Sequence, residues 1–480
     1  MRITVVASEC APFIKTGGLA DVVGALPPAL NTLGADVSVI IPKYSRIADE
    51  HKQRMRHIAD FYINLGWRSQ YVGVELIEVN GVKWYFIDNE YYFKQDYVYT
   101  DGDFETERFC YFCRAVLEMM LMLDLVPDVI HLNDWQTGLI ALLLNEQYRV
   151  CPAFERTKTV YTIHNLRYQG LMRPQFVNEL LSIGQYALSK IEYYSHINAM
   201  KAGIVYADTV TTVSPTYAYE ITTPMFGETL DGLLTSREGG IAGILNGIDS
   251  SSYNPWTDKA LASRYSKNSP SGKIKCKAAL QEELALNVDP FVPTAAVISR
   301  LTNQKGLDLI LSVLPGLLDL GMQVVILGMG DRWLEERFGF IANSDYGRGR
   351  VAFRCEMNEP LARRVYAGAD MFLMPSAFEP CGLSQMIALR YGCVPIVRET
   401  GGLVDSVRPY NRFTDEGDGF SFRNYSANEL YNACADAVSV YRGDNEAWKR
   451  IIKRGMEKDL GWTESAKKYL ALYREIDKRY

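Results

Sequence analysis

The chain has 480 residues, too many for one hydrophobic core, which stops growing at roughly 250–300 residues, so at least two domains are expected. Apolar residues make up 48% and charged residues 22%, a balance that excludes an intrinsically disordered or low-complexity protein. The 51 Lys and Arg against 57 Asp and Glu leave a net charge of −6, which argues against non-specific binding to nucleic acid or to a membrane surface.

Cysteine usage and hydropathy predict the compartment. The nine cysteines are dispersed along the chain, which is typical of reduced thiols. No run of about 20 apolar residues predicts a transmembrane helix, and the N-terminal residues have the pattern of a strand and not of a secretory signal. We therefore expect a cytoplasmic protein. With five histidines, and the one close cysteine pair, Cys110 and Cys113, inside a predicted helix, a metal site is not expected.

Apolar, largely β-branched runs alternate with helical patterns, which predicts parallel sheets with helices on both faces. The first seven runs are 3–7, 36–41, 82–87, 129–132, 159–162, 209–213 and 241–245, and five more follow at 295–299, 323–327, 351–354, 371–375 and 394–397. A turn-rich stretch at 246–255 separates the two series. We therefore expect two doubly wound, Rossmann-like domains, with ligands beyond the carboxyl ends of the strands, in the cleft where the two sheets face each other.

The C-terminal residues 462–480 form a separate predicted element. Ala466, Tyr469, Leu470, Tyr473 and Ile476 make one apolar stripe at helical spacing. Such a helix must pack its stripe against another part of the protein.

The first predicted βα loop combines glycines with a cation. Residues 7–22 contain Lys15, the pair Gly17-Gly18 and Asp21, just before a helical pattern. Glycine allows a ligand to approach the backbone, and a helix N-terminus presents unpaired N–H groups to an anion. The loop matches neither the Walker pattern nor G-x-G-x-x-G, so these residues alone leave anion binding and an ordinary turn equally open.

Three loops of the second half have similar chemistry. Arg300 and Lys305 follow the run 295–299, Glu379 follows 371–375, and the pair Gly401-Gly402 follows 394–397. In a doubly wound sheet such positions face the ligand. We expect two cations, one carboxylate and helix N-terminal amides there.

Polar residues also follow two strands of the first half. Asp134 comes after the run 129–132 and His164 after 159–162, which places both at the rim of the predicted cleft. Two other motifs are weaker. Gly328-x-Gly330 lacks the third glycine of a dinucleotide site, and Asp101-x-Asp103 follows no strand, as is typical of a solvated loop.

Together these loops resemble the bacterial glycogen synthase and plant starch synthase family. The resemblance depends on Lys15-Thr16-Gly17-Gly18-Leu19-Ala20-Asp21-Val22, Arg300…Gln304-Lys305-Gly306, Phe378-Glu379-Pro380-Cys381-Gly382-Leu383 and Thr400-Gly401-Gly402-Leu403, which occur in the family's order. It implies an α/β protein of the GT-B fold. Residues 1–247 would be the acceptor domain, 248–461 the nucleotide-sugar domain, and 462–480 a helix that returns to the N-terminal domain.

The resemblance also implies an activity: a hexosyltransferase of glycogen biosynthesis that moves glucose, with retention, from ADP-glucose to the non-reducing end of an α-1,4-glucan, without a cofactor or a metal. Partners would be the glucan and the nucleotide-sugar, and neither nucleic acid nor membrane. The implied catalytic residues are Glu379, His164, Lys15, Arg300, Lys305 and Asp134. The implied donor-binding residues are Lys15, Gly17, Gly18, Asp21, Asn246, Arg300, Lys305, Cys381, Gly382, Leu383, Thr400, Gly401 and Gly402. The implied acceptor-binding residues are Glu9, Tyr92 and Tyr99.

Three positions depart from the family pattern. The usual His-Asp-Trp is Asn133-Asp134-Trp135, the usual Gly-Asp-Val begins with Ala20, and the second Glu that many related transferases carry eight residues after Glu379 is Ile387. A pair of catalytic carboxylates is therefore not expected. The alternatives are a transferase that uses UDP-glucose or resembles sucrose or trehalose synthase, and a glucan-binding scaffold without activity.

Overall fold

The computed structural model describes residues 1–478, which form two compact units. The first unit comprises Met1–Gly247 and the chain from Trp462 onward, and the second comprises Ile248–Gly461. Among the described residues, no helix is long and apolar enough to cross a membrane.

The first unit contains strands β1 (Arg2–Val6), β2 (Asp36–Pro42), β3 (Arg56–Leu65), β4 (Arg68–Val79), β5 (Val82–Asp88), β6 (Val129–Asn133), β7 (Lys158–Ile163), β8 (Leu171–Met172), β9 (Glu192–Tyr193), β10 (His196–Asn198), β11 (Thr209–Thr212) and β12 (Ile241–Gly243). Its helices up to Gly247 are α1 (Gly18–Thr32), α2 (Asp49–Lys52), α3 (Glu90–Phe93), α4 (Gly102–Met122), α5 (Trp135–Leu143), α6 (Pro174–Leu181), α7 (Gln185–Ile191), α8 (Ala199–Tyr206), α9 (Pro215–Glu220) and α10 (Asp231–Ser236). A π-helical turn at Leu144–Tyr148 and a 3₁₀ turn at Pro152–Phe154 complete it.

The second unit contains helices α11 (Gly272–Glu283), α12 (Leu307–Asp319), α13 (Arg332–Asn343), α14 (Glu359–Gly368), α15 (Ser384–Arg390), α16 (Gly401–Ser406), α17 (Ala427–Gly443) and α18 (Asn445–Glu457). Its strands are β13 (Thr294–Ile298), β14 (Gln323–Leu327), β15 (Val351–Arg354), β16 (Met371–Met374), β17 (Val394–Arg398) and β18 (Phe420–Phe422), with a 3₁₀ turn at Asn303–Lys305. All six strands pair in parallel in the order β15-β14-β13-β16-β17-β18.

The main sheet of the first unit has nine strands in the order β12-β11-β7-β6-β1-β2-β5-β4-β3. Seven of them are parallel, β4 pairs antiparallel with β5, and β3 pairs antiparallel with β4. The apolar runs of the sequence did not predict this hairpin. The second half of β3 alternates exposed residues with buried Phe61, Ile63 and Leu65, because only one face of this edge is covered.

Each main sheet reverses its strand order at one point. In the first unit the chain leaves β1 toward β2 on one side, and β6 pairs on the other. In the second unit β14 and β16 flank β13 in the same way. Ligands of doubly wound sheets bind beyond the carboxyl ends of the strands at this reversal, so the fold alone selects one candidate location in each unit.

The last helix, α19 (Trp462–Ile476), belongs to the first unit and packs against α1. Its stripe buries Ala466, Tyr469 and Tyr473 completely. The hydroxyl of Tyr473 lies 2.7 Å from Nδ1 of His131 on β6. The amphipathic stripe seen in the sequence therefore covers the first unit.

Candidate active site

A cavity of about 110 Å³ lies where the strand order of the second unit reverses. The carboxyl ends of β13 and β16 form its floor, and the loops that follow them form its walls. The lining residues are Val297, Ile298, Ser299, Arg300, Lys305, Leu373, Met374, Ser376 and Ser384. Two of the predicted cations, Arg300 and Lys305, thus face one cavity together, and they give it the charge to hold an anion.

Lys305 forms an ion pair with Glu379, the predicted carboxylate. The distance from its Nζ to Oε2 of Glu379 is 2.6 Å. Ser376 Oγ, 3.0 Å away, donates to the same oxygen. Glu379 is 5% exposed, so its charge is compensated by these two donors and not by water. The sequence predicted both charged residues for this site but not their direct contact.

Glycines hold the loop of Glu379 in place by close backbone packing. A Cβ added to Gly401 would lie 2.0 Å from the carbonyl oxygen of Glu379, and one added to Gly402 would lie 2.1 Å from that of Cys381. The amide of Gly402 donates to the carbonyl of Glu379 at 3.1 Å. These two glycines, with buried Thr400 before them, therefore contact the Glu379 loop, and their contact with a ligand stays a prediction.

The same loop is supported from two further sides. Arg398, 7% exposed at the end of β17, donates to the carbonyls of Ser376 and Ala377 at 3.2 and 2.6 Å. Gly382 has φ +74°, a conformation that favours glycine, just before Leu383 and the start of α15. The geometry around Glu379 is therefore fixed before any ligand binds.

In the first unit, the loop after β1 places Glu9 beside the predicted glycines. Glu9 is 3% exposed, and one of its oxygens accepts from the Thr16 hydroxyl at 2.7 Å. Burial raises the pKa of Glu9 above its ordinary value. Lys15 pairs with Asp21 at 2.7 Å, and both side chains are partly exposed.

Neither glycine of this loop is required by the protein itself. A Cβ on Gly18 would have no atom within 4 Å, and one on Gly17 would only touch Glu9 at 3.7 Å. Gly17 has φ −156°, an extended conformation that any residue adopts. The open space in front of Gly17 and Gly18 is what a ligand close to the backbone needs.

His164, Asp134 and Asn133 form one hydrogen-bonded group at the carboxyl ends of β6 and β7. Oδ1 of Asp134 accepts from the His164 amide at 2.8 Å, and Nε2 of His164 lies 2.9 Å from Oδ1 of Asn133. Burial lowers the pKa of His164 to about 3 and raises the pKa of Asp134 to about 7. At neutral pH His164 is therefore uncharged and can take part only through hydrogen bonds.

The three predicted acceptor residues lie in different surroundings. Glu9 and Tyr99 are near each other through Ser8, whose hydroxyl lies 2.8 Å from that of Tyr99. Tyr92 is wrongly predicted as acceptor-binding: its ring is fully buried against Tyr111, and its hydroxyl donates to Glu107. The resemblance implied contact with the acceptor, but this ring fills the core.

Asn246 lies one residue before Gly247, the end of the first segment of the first unit, and is 6% exposed. Its side-chain oxygen accepts no hydrogen bond within residues 1–478. A buried amide oxygen without a donor is costly, and a ligand hydroxyl would satisfy it. This supports its predicted binding role.

Two residues of the site were not singled out from the sequence. Ser376 and Arg398 both follow buried strands, so the position that identified Glu379 could also have identified them. Their partners could not be predicted, because hydrogen bonds between separate loops leave no pattern in the sequence.

Comparisons with known proteins agree across the whole chain. Residues 2–236 match the family model "Starch synthase catalytic domain", and residues 282–457 match "Glycosyl transferases group 1". Glycogen synthase of Clostridium beijerinckii is 48% identical, and that of Anoxybacillus flavithermus 47%, each over 99% of this chain and at least 98% of its own.

Solved structures agree with the fold. The catalytic domain of starch synthase IV from Arabidopsis thaliana, bound to ADP and acarbose, superposes with a TM-score of 0.91 at 33% identity over 99% of both chains. Sucrose-phosphate synthase from Thermosynechococcus elongatus shares the fold alone, with a TM-score of 0.64 at 18% identity.

Proposed function

Because the chain belongs to the glycogen and starch synthase family of GT-B glucosyltransferases, we propose that it transfers glucose from ADP-glucose to the non-reducing end of an α-1,4-glucan, with retention, and releases ADP. The observation that carries this proposal is the Lys305–Glu379 pair at the cavity of the second unit. It combines a cation for a diphosphate with a carboxylate for the sugar.

The leaving group decides what the protein must supply. A nucleoside diphosphate needs no proton to depart, only stabilisation of the charge that develops on it. We assign this role to Arg300 and Lys305, which line the cavity of the second unit, and Lys15 stays a predicted donor-binding cation of the first unit. With these cations for the diphosphate, we expect the reaction to proceed without a metal ion or another cofactor.

Glu379 acts on the sugar in this proposal. Its carboxylate orients the glucosyl hydroxyls and counters the positive charge that develops at the anomeric carbon. The departing phosphate takes the proton of the acceptor 4-hydroxyl as that oxygen attacks, and the configuration is retained because attack and departure share one face. Neutral His164 contacts the reacting sugar through hydrogen bonds, and Asp134 positions it.

The remaining predicted residues have binding roles. The donor is bound by Gly17, Gly18, Asp21, Asn246, the segment Cys381–Leu383 and Thr400. The acceptor is bound by Glu9 and Tyr99. We expect the enzyme to act in the cytoplasm, with no nucleic-acid or membrane partner.

The test is incubation with ADP-glucose or UDP-glucose, a malto-oligosaccharide acceptor, and chelator present or absent, followed by chain length and released nucleotide. Extension with ADP-glucose in chelator supports the proposal. Preference for UDP-glucose, transfer to another acceptor, or glucan binding without transfer would each replace it with one of the alternatives.

The variant Lys305→Ala measures the proposed charge contact. We expect turnover to fall by about 10²–10³, the usual cost of losing one transition-state donor. Lys449→Ala is the matched control, since the Lys449 side chain is 58% exposed and pairs with Glu446 three residues earlier on α18. Equal turnover in both variants would remove Lys305 from the mechanism.

A further inference from the structure

Asn133 stands where the family resemblance implies a histidine, and its amide is held in one orientation. It is 1% exposed at the end of β6. Its Nδ2 donates to the carbonyl of Val6 at 3.1 Å and to that of His131 at 3.2 Å. Both carbonyls are acceptors only, so they fix which end of the amide is nitrogen, and Oδ1 must face His164.

An amide oxygen can only accept a hydrogen bond. The 2.9 Å contact between Oδ1 of Asn133 and Nε2 of His164 therefore requires the proton of the ring to be on Nε2. The ring is neutral, because burial holds its pKa at about 3. Its Nδ1 then carries a lone pair and no proton, and among residues 1–478 the structure shows no hydrogen bond to Nδ1.

We propose that Asn133 is a positioning residue that holds His164 in the Nε2–H tautomer, so that Nδ1 is a hydrogen-bond acceptor for a hydroxyl of the bound sugar. The backbone of His164 is fixed at the same time by the carboxylate of Asp134, at 2.8 Å from its amide. Nε2 of the ring is thus held by Asn133, and Nδ1 is free to accept a hydrogen bond. The hydroxyl partner rests on the proposed function, but the tautomer does not.

Asparagine differs in its chemistry from the histidine that the family resemblance implies at this position. A histidine can donate or accept and changes its charge near neutral pH, so it could hold either tautomer of its neighbour. An asparagine has no such choice. The other nearby ring, that of His131, is engaged elsewhere, by Thr162 at 2.6 Å and by Tyr473 at 2.7 Å.

Nitrogen-15 NMR of the histidine-labelled protein reads the tautomer directly. The chain has five histidines, and the variant His164→Gln identifies the signals of His164. We expect a protonated shift for Nε2 and an unprotonated shift for Nδ1 at pH 7. A protonated Nδ1, or an imidazolium, in the wild-type protein would overturn the proposal without any variant.

Two substitutions test the role of Asn133. Asn133→Asp keeps an oxygen that accepts from Nε2 but loses both donations to the carbonyls of Val6 and His131, so we expect Nε2 to stay protonated and the melting temperature to fall. Asn133→Leu removes the acceptor, and we expect averaged nitrogen shifts and a kcat/KM about tenfold lower, the cost of about one lost hydrogen bond to a positioned group. Wild-type shifts in Asn133→Leu would also contradict the proposal.

Asn145→Ala is the matched control. Its amide likewise donates to two backbone carbonyls, those of Ala141 and Tyr206, but contacts no histidine. It should keep the His164 spectrum and the activity. If the protein transfers no glucose at all, the proposed function is wrong, but the NMR experiment still tests the tautomer of His164 independently.

Discussion

The two units carry their candidate residues at the same topological position but build them differently. In the second unit a buried ion pair, Lys305–Glu379, is surrounded by glycines that the loops need in order to pack. In the first unit His164 and Asp134 lie in a neutral hydrogen-bonded group, and Gly17 and Gly18 face open space.

Similar motifs therefore have different physical causes. Gly17-Gly18-Leu19 and Gly401-Gly402-Leu403 look alike in the sequence. The second pair is required by the fold, because its Cβ atoms would overlap backbone carbonyls, whereas the first is not. A glycine that the protein does not need for itself is the better indicator of a ligand.

The largest expected effect is on stability, in the second unit. Gly402→Ala would place a methyl group 2.1 Å from the Cys381 carbonyl, and we expect a loss of about 3 kcal/mol in the free energy of unfolding, together with activity. Gly443→Ala is the control, since nothing lies within 4 Å of its Cβ position. Equal melting temperatures for both variants would show that the loops can separate without cost.

The stability of the first unit should depend on pH through the hydrogen-bonded group that contains Asp134 and His164. Burial raises the pKa of Asp134 from 3.8 to about 7, so between these values the folded state keeps a proton that the unfolded state loses. Raising the pH through this window therefore lowers the free energy of unfolding, by about 4 kcal/mol in total.

Asp134→Asn should remove that slope of the free energy of unfolding against pH, measured by denaturant titrations at pH 4, 5.5 and 7.5. Asp49→Asn, at a carboxylate whose side chain is 86% exposed, should leave the slope unchanged. A wild-type slope in Asp134→Asn would mean that Asp134 is ionised throughout this range.

Gly18→Ala should separate binding from stability. We expect an unchanged melting temperature, because no atom lies within 4 Å of the added methyl group, and a KM for ADP-glucose about tenfold higher, because that group occupies ligand space. Gly232→Ala, also in the first turn of a helix with nothing within 4 Å, is the control. An unchanged KM would make the first loop an ordinary turn.

The smallest effect concerns the support of the first unit. Tyr473→Phe removes the hydroxyl that contacts Nδ1 of His131, and we expect a loss of about 1 kcal/mol in unfolding free energy. Tyr186→Phe, at a ring that is 74% exposed, should change nothing. Equal stability of the two variants would show that packing alone holds α19.

The parallel strands could be predicted because burial on both faces leaves continuous apolar runs. The run 323–327 coincides with β14, and 351–354 with β15. The β3–β4 hairpin was missed because its signal is alternation, as in Phe61, Ile63 and Leu65, and not a continuous run.

The candidate site was predictable in position but not in contacts. Their positions directly after buried strands indicated Glu379 and His164 from the sequence alone. The pairing of Lys305 with Glu379 joins residues 74 positions apart, and that of His164 with Asn133 joins residues 31 apart. Such pairs depend on how loops meet in three dimensions. Likewise, the sequence does not show whether an aromatic residue such as Tyr92 lies in the core or at a binding surface.

The position of α19 has a consequence for synthesis on the ribosome. The face of α1 that this helix covers stays uncovered, and His131 lacks its contact with Tyr473, until residues 462–473 have been translated. The second unit, translated later than most of the first, has its complete set of residues earlier. Chains released before Tyr473 is added would therefore expose an apolar surface, and they are the natural targets of chaperones and proteases.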